Sequence, residues 1–564
     1  MRLYKQYLQL YRDFEPARSC VHEVTLGEIA EALACTHRNA GLLLSKMRAR
    51  ELIGWFPQRG RGRKSGLRLL VPSEEIAKLI LRDAVSRNAL LSEIHDIRDE
   101  VESAGVQDQL YDLLFNQYGL QSEIRNQKRI DILRLPIRQP ILTLDPLYMN
   151  VLSESFVASH LFDSLVRRES RSGTLLPHLA HNWESDESRL SWTFYLRKGV
   201  FFHNGKELDS EDVVYTLNRL LRSEHRTLYR SVFKKMNRVY ALDRYTVCIE
   251  LAEQSELFLP FLSTTRASIV PVELGYIGSS KFQAAPIGSG PYRLTTIDQE
   301  VCVLEVNTGY FRERAHLDRV EIWQVPGSEA EQDEVFRVIH NARLTVGTGQ
   351  EWLQVDAAVS IGKFVTVNTN HEGPLSERAI RAWVLAQLCD WDTWDERSTS
   401  EQDKGTHTPI LSRPLVLSTI VPYELDARRI ADRLAAFGIQ TDVRLYSPED
   451  FKSDVRLASD LVLFSLIRDQ DEQLRLYDLY RTMAEHLEPH AKTDIDTILR
   501  RITKQTDPLE RDRLYRDIAN RLSEESNMLI LYEHRVQTAF HHSIRGISFN
   551  AQGWVDLRTL WFKS

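Results

Sequence analysis

Cysteine is scarce: five residues in 564, at positions 20, 35, 248, 302 and 389. An odd number at such wide spacing excludes a zinc ribbon and a disulfide framework, and it fits a reducing compartment. There is no run of about 18 uncharged apolar residues, which excludes a helical membrane span. The longest candidate, Leu257 to Val272, is interrupted by Pro260, Arg266 and Pro271. The opening stretch MRLYKQYLQLYRDFEP has no apolar run after its basic residues and no small-residue cleavage site. No secretory leader is therefore expected, and the protein is expected in the cytoplasm. A glycine-rich phosphate loop, G-x-S-x-G, H-E-x-x-H and any metal-spaced Cys/His set are also missing. No catalytic residue, metal or cofactor is expected. His541 and His542 are adjacent, so their side chains would diverge along a strand rather than share an ion.

What is present is the balance of a folded chain: 43% hydrophobic and 27% charged residues. The length allows three to four domains or one large multi-lobed unit. The formal charge of -7 conceals an asymmetry. Residues 1–70 hold 13 Lys and Arg against 6 Asp and Glu, which leaves 59 against 73 for the rest. A basic head on an acidic body points to a polyanion partner for the head alone; the plain alternative is a basic surface with no partner.

The head has a readable element order. Leu3, Tyr7, Leu10, Tyr11 and Phe14 recur at helical spacing before Pro16. Thr25 stands three residues before Glu28, a capping box, and Leu26, Ile29, Ala30 and Leu33 form the buried face of a short helix. Thr36 can cap a further helix to about Arg50 that buries Ala40, Leu43, Leu44 and Met47. Strand-like Leu52 to Phe56 and Leu67 to Val71 flank the basic tip RGRGRK. This is the order of a winged helix-turn-helix over residues 1–71. Its second helix would enter the major groove, presenting Thr36, His37, Arg38 and Asn39 to base edges, with Ser45 farther along. Arg59, Arg61, Arg63 and Lys64 at the wing tip would supply phosphate contacts. The expected partner is double-stranded operator DNA.

Residues 72–129 are charged and helical in period, with stripes such as Ile76, Leu79, Ile80 and Val85, and read as a helical connector. From 130 onward, strand-length apolar runs alternate with helical ones, for example Ile130 to Leu135, Trp192 to Leu196 and Phe364 to Val367 against Ser153 to Arg167, Ser210 to Arg222 and Glu377 to Leu388. That texture indicates an α/β body with several crossovers.

Within the body, one ordered set of motifs carries more. Leu161 to Val166, Leu176 to Ala180, Trp192 to Gly205 and Asp209 to Leu217 are followed by the Gly288-Ser289-Gly290-Pro291-Tyr292 turn, Asn307 with Tyr310 and Phe311, Arg378 with Arg381, and Gly553 to Leu557. This resembles the oligopeptide/nickel-type solute-binding proteins of family 5. The resemblance implies a two-lobed, periplasmic-binding-protein-like (type II) fold over residues 130–564. Most motif residues are read as scaffold, including Asp212, Trp192, Phe194, Phe202 and His203. The head also agrees with a known combination, through Thr25-Leu26, Glu28 to Ala30, Cys35-Thr36, Arg38, Gly54-Trp55 and Arg59 to Arg63. Head and body together resemble the SgrR family of bacterial transcriptional regulators. The resemblance implies a cytoplasmic, ligand-responsive DNA-binding regulator whose solute is sugar-phosphate-like or a small peptide. Peptide-binding relatives hold the peptide amino group with an Asp in a D-Y-x-D-P-like segment. Asp460 to Asp471 here contains none, and Asp469 is the acidic candidate that remains. In the family the loop after Pro146 lines the cleft, which nominates Tyr148 and Ser155. The rival reading is the substrate-binding receptor of an ABC transporter, opposed by the basic head and the missing leader. One winged helix per chain suits a monomer or a dimer.

Overall fold

The structure is a computed structural model that describes residues 2–14, 21–58, 64–73, 75–77, 79–80, 119–125, 128–137, 141–149, 151–169, 172–224, 227–298, 300–324, 352–370, 372–389, 391, 409–451, 453–468, 471–541, 544–550 and 553–562. The chain divides into two compact units, Met1–Gly119 and Leu120–Ser564.

In the first unit, α1 (Arg2–Asp13), β1 (His22–Val24), α2 (Leu26–Ala32), α3 (His37–Ala49), β2 (Ile53–Phe56) and β3 (Ser65–Leu69) follow in order, and the strands form a sheet in the order β1-β3-β2. The short β1 is absent from the sequence reading; it exists because it pairs with β3, Val24 opposite Ser65. The Thr25–Glu28 capping box is formed: the Glu28 N–H donates to the Thr25 hydroxyl oxygen and the Thr25 N–H to the Glu28 carboxylate. Thr36 caps α3 through the Asn39 N–H, 3.3 Å away. Ala40, Leu43, Leu44 and Met47 are buried as their spacing predicts, whereas Leu26 is 37% exposed. Tyr7 ties α1 to the far end of the unit, its hydroxyl donating to the Val71 carbonyl at 2.7 Å. Of the expected connector, most residues lie outside those described. Residues 119–125 differ from the helical reading: they form the edge strand beside Lys128–Ile137, a case of sheet pairing overriding local periodicity.

The second unit has three main sheets. The first-lobe sheet runs Tyr292–Ile297, Val301–Val306, Arg319–Gln324, Lys128–Ile137, Gly119–Arg125. A four-stranded sheet of Met236–Asp243, Thr246–Leu251, Ser191–Leu196 and Ala180–Ser185 adjoins it in sequence, and Trp192 and Phe194 point into its core. The second-lobe sheet runs Thr441–Tyr446, Leu415–Ile420, Leu461–Arg468, Trp352–Val367, Met528–His541. After this last strand the chain returns, and Ile544, Trp554, Leu557 and Leu560 complete the first-lobe core. Trp352–Val367 and Met528–His541 pair antiparallel over their length, from Trp352 opposite His541 to Thr366 opposite Met528, with the register slipping between Asp356 and Ser360 and again between Lys363 and Phe364. Two neighbouring strands therefore make the crossing between lobes.

The helix expected over Ser153 to Arg167 ends at Leu161. The Gly290 N–H takes the Leu161 carbonyl at 2.9 Å, Phe162 is extended, and Val166–Arg168 is a strand. A buried carboxylate explains the break. Asp163 accepts from the Tyr310 hydroxyl (3.0 Å) and the Ser289 hydroxyl (2.9 Å) and bonds His178 Nε2 at 2.7 Å. Four separate motif segments thus meet at one atom group. Burial raises the Asp163 carboxyl, but His178 and the hydrogen bonds outweigh it and hold the group below its usual range. Asp212 closes the N-terminus of Ser210–Arg222, accepting from the Asp209 N–H and pairing with Lys206 at 2.6 Å. Both ring nitrogens of His203 bond the Gly288 to Gly290 turn.

Candidate functional sites

The head presents a polar face at the start of α3. His37, Arg38 and Asn39 are exposed. Thr36 is exposed too, but its hydroxyl serves as the N-cap, and the Ser45 hydroxyl donates back to the Gly41 carbonyl at 2.9 Å. The His37 imidazole lies over Gly27 in the first turn of α2, 3.5 Å from where a Cβ would stand. Lys64, exposed at the root of β3, adds its charge to the hydrogen bonds from Thr25 that hold the Glu28 carboxyl below its usual value. The start of α2, the start of α3 and Lys64 therefore share one neighbourhood. Arg59, Arg61 and Arg63 lie outside the described residues. Two residues escaped the sequence reading, Leu42 and Lys46, each exposed on α3. They stand four and eight residues beyond Arg38, hence on the same helix face. That spacing was the available signal.

In the body, a cavity of about 760 Å3 opens between the lobes. Ser155 lines it. Tyr148 does not; it faces a separate hollow beside Leu147 and Tyr215, under the Arg219 guanidinium at 5.4 Å. Asp469 lies outside the described residues, while Asp471 lines the cavity and bonds Arg168 at 3.2 Å. The loop after Pro146 is clamped from both ends. Arg219 holds Asp145 with two bonds of 2.8 and 2.5 Å. Arg266 donates to the carbonyls of Pro146, Leu147 and Met149 at 2.7, 2.9 and 2.6 Å. Arg266 itself lines the cavity and is buried, and burial pushes its guanidinium down to about 10. Nothing in the local sequence marked it. Also on the cavity lining, Asp478 accepts from the Tyr229 N–H (3.1 Å) and the Ser231 hydroxyl (3.0 Å). Tyr229 adopts a left-handed backbone, φ 65°, to offer that N–H. Among the described residues, no His/Cys/Asp/Glu group is arranged to hold a metal, and no helix is long and apolar enough to cross a membrane.

Comparison with known proteins agrees with both parts. Residues 2–122 match the family described as sugar transport-related sRNA regulator N-term, and residues 174–337 match bacterial extracellular solute-binding proteins, family 5 middle. Over its full length the chain is 26% identical to YhjP of Bacillus subtilis (strain 168), covering all of that protein. It is 25% identical to the HTH-type transcriptional regulator SgrR of Yersinia enterocolitica, covering 98% of it. Among solved structures, the ABC transporter-associated periplasmic binding protein DppA of Helicobacter pylori, in complex with the peptide STSA, matches 77% of this chain and 98% of its own at a TM-score of 0.63 and 17% identity. NikA of Brucella suis, in complex with Fe(III)-EDTA, matches 76% and 100% at 0.61 and 19%. These two likenesses establish the body's fold. The chain thus joins an N-terminal domain of the SgrR type to a family 5 solute-binding body, and along its whole length it is similar to the SgrR regulators.

Proposed function

We propose that the protein is a cytoplasmic transcriptional regulator that binds operator DNA through residues 1–71 and senses a small solute through residues 130–564, with 72–129 as connector. The observation that carries this reading is the presence, in one chain, of an exposed His37-Arg38-Asn39 helix start and a two-lobed cavity of about 760 Å3. Arg38 can bond a guanine edge and Asn39 an adenine edge, and Leu42 can meet a thymine methyl. Thr36 and Ser45, their hydroxyls engaged, contribute helix geometry and Ser45 a smaller contact. Lys64 and Arg59, Arg61 and Arg63 supply phosphate contacts. On the sensing side, Ser155, which lines the cavity, contacts solute directly, and Asp469 stays the acidic candidate of the sequence, whereas Tyr148, in its separate hollow, braces the loop instead of touching solute.

Solute that prefers one lobe arrangement shifts the population toward it, and DNA affinity changes only by that difference in solute affinity. The two crossing strands provide the hinge. A coupling of about 1–3 kcal/mol is sufficient for a switch of roughly 5- to 150-fold.

Footprinting of the full chain on its own upstream region at low salt tests the reading. A protected segment is expected. Arg38→Ala should weaken specific binding by about 5- to 150-fold, equivalent to about 1–3 kcal/mol. Lys64→Ala should weaken binding evenly across sequences and lower the salt slope by about 1. Absence of protection at any salt concentration refutes the reading.

A further inference from the structure

We propose that the outer face of the head's three-stranded sheet is a two-fold interface, on which a second copy of this chain docks with Glu23 of each head paired to Arg68 of the other. The proposal is independent of the DNA reading and supplies the oligomeric state that one winged helix per chain leaves open.

Strand alternation divides the sheet into two faces. Val24, Ser65, Leu67 and Ile53 point inward and are buried. Glu23, Gly66 and Phe56 point the other way, in one row across β1, β3 and β2, with Arg68 and Gly54 in the next row. On this outer face Glu23, Arg68 and Phe56 are exposed, Phe56 by 56%. Val21, just before β1 and 49% exposed, leans over Gly66: a Cβ there would stand 2.7 Å from a Val21 methyl and 3.4 Å from the Phe56 side chain. The two apolar side chains therefore close over the glycine into one patch. Phe56 also lies along β2, its ring 3.3 Å from where a Gly54 Cβ would stand. Glycine weakens a strand interior and commonly marks a place where another backbone comes close. Here two glycines on one face flatten it beneath large apolar groups that stay in water, the mark of a docking surface.

The charges on this face select the partner. The head as a whole is basic, 13 against 6, yet the face carries one carboxylate and one guanidinium. Neither the Glu23 nor the Arg68 side chain has an ion-pair or hydrogen-bond partner among the described residues. An acidic partner would satisfy Arg68 and repel Glu23, and a basic one would do the reverse. A second copy satisfies both. A two-fold operation that lays Glu23 over the copy's Arg68 also lays Arg68 over the copy's Glu23. The axis that does so runs diagonally across the face past Val21 and Gly66, so the apolar patches meet at the centre and the charges flank them. The strands of the two sheets then cross steeply, close to the orthogonal stacking of paired sheets. The helices lie on the sheet's inner side, so the start of α3 stays exposed. Strands of three, four and five residues offer a small face. It buries less than the roughly 1,200 Å2 of a stable standard interface, which places the association in the micromolar range.

The test is sedimentation equilibrium of the full chain from about 1 to 100 μM. A concentration-dependent rise toward twice the chain mass is expected. Glu23→Arg and Arg68→Glu each set like charges opposite one another and should weaken self-association about tenfold or more. Mixed in equal amounts, the two variants should associate with each other about as tightly as the native chain with itself, since one then presents two arginines and the other two glutamates. Both positions are exposed, so the Tm of each variant should match that of the native chain. A chain that is monomeric throughout overturns the proposal. So does a dimer that both variants leave unchanged, which places its interface elsewhere. So does a mixture that fails to associate, the result expected if Glu23 and Arg68 pair within one chain. Variants that change the sedimentation coefficient without changing the mass assign the face to the chain's own body and likewise overturn it. A dimer with no footprint on DNA upholds the proposal and sinks the regulatory reading; a footprint from a chain that stays monomeric does the reverse.

Discussion

At the scale of single residues, the motif glycines show how a family pattern records geometry rather than chemistry. Gly288 and Gly290 have ordinary backbone angles, and their freedom of rotation is not what the fold uses. A Cβ on Gly288 would stand 1.9 Å from the Leu161 carbonyl oxygen, and one on Gly290 2.5 Å from the Leu161 carbonyl carbon. The turn lies directly on the end of helix Leu152–Leu161, where Ser289 reaches Asp163. Backbone there has nowhere to go, so Gly288→Ala should cost about 1–3 kcal/mol or more, as overpacked cores do. Gly438 supplies the contrast: φ is +82° and nothing lies within 4 Å of a Cβ, so Gly438→Ala carries only the left-handed backbone penalty of about 1 kcal/mol. Urea unfolding of both variants checks the order; equal losses would contradict the contact argument.

At the scale of elements, what the sequence made legible was whatever local chemistry decides. The capping box at Thr25, the cap at Thr36 and the buried spacing of α3 all formed as their patterns predict, and helix Ser210–Arg222 begins and ends where its own residues say. Elements decided by partners were not legible. Strand β1 has three residues and exists through β3; Gly119–Arg125 joins a sheet edge; Leu161 ends a helix because Asp163 is held from three other segments. Helices Glu472–Met483 and Pro489–Lys504 were missed although Leu474, Tyr477, Tyr480 and Met483 recur at threes, since their many charges hid the stripe. The cleft fared likewise: Ser155 was reachable from its place shortly after Pro146, although it stands on helix Leu152–Leu161, whereas Arg266 contacts carbonyls, which leave no trace in sequence. Local decisions should also show in local stability. Thr25→Ala removes the acceptor for the Glu28 N–H and should cost about 1 kcal/mol, read as about fivefold faster amide exchange in the first turn of α2. An unchanged exchange rate there would mean the cap adds nothing.

At the scale of the whole molecule, buried histidines set the response to acid. Burial pushes His160 down to about 4 and His486 down to about 3, and it lowers His178 and His203 as well. In the unfolded chain a histidine titrates near 6.5. Between that pH and the folded value the unfolded state holds a proton that the folded state does not. The associated stability is therefore complete above about pH 6.5 and is lost as pH falls, at about 1.4 kcal/mol per pH unit for each such histidine. Below about pH 4, Asp163 and Asp556, both held under their usual range, add a further loss as they protonate. His486 isolates the effect. Its ring is 1% exposed, lies against Phe464 at 6.3 Å, and neither nitrogen has a hydrogen-bond partner among the described residues. An imidazole so placed bears a desolvation cost with no compensating bond, about 1–3 kcal/mol for a buried polar group. His486→Leu, close in volume, should then raise stability at pH 7.5 and remove about 1.4 kcal/mol per unit from the acid slope between pH 6 and 4. Urea midpoints of the two proteins across pH 4 to 8 measure both quantities together. A parallel pair of curves would show that His486 titrates alike in both states, and a variant weaker at pH 7.5 would show that the ring nitrogens hold a partner in solution.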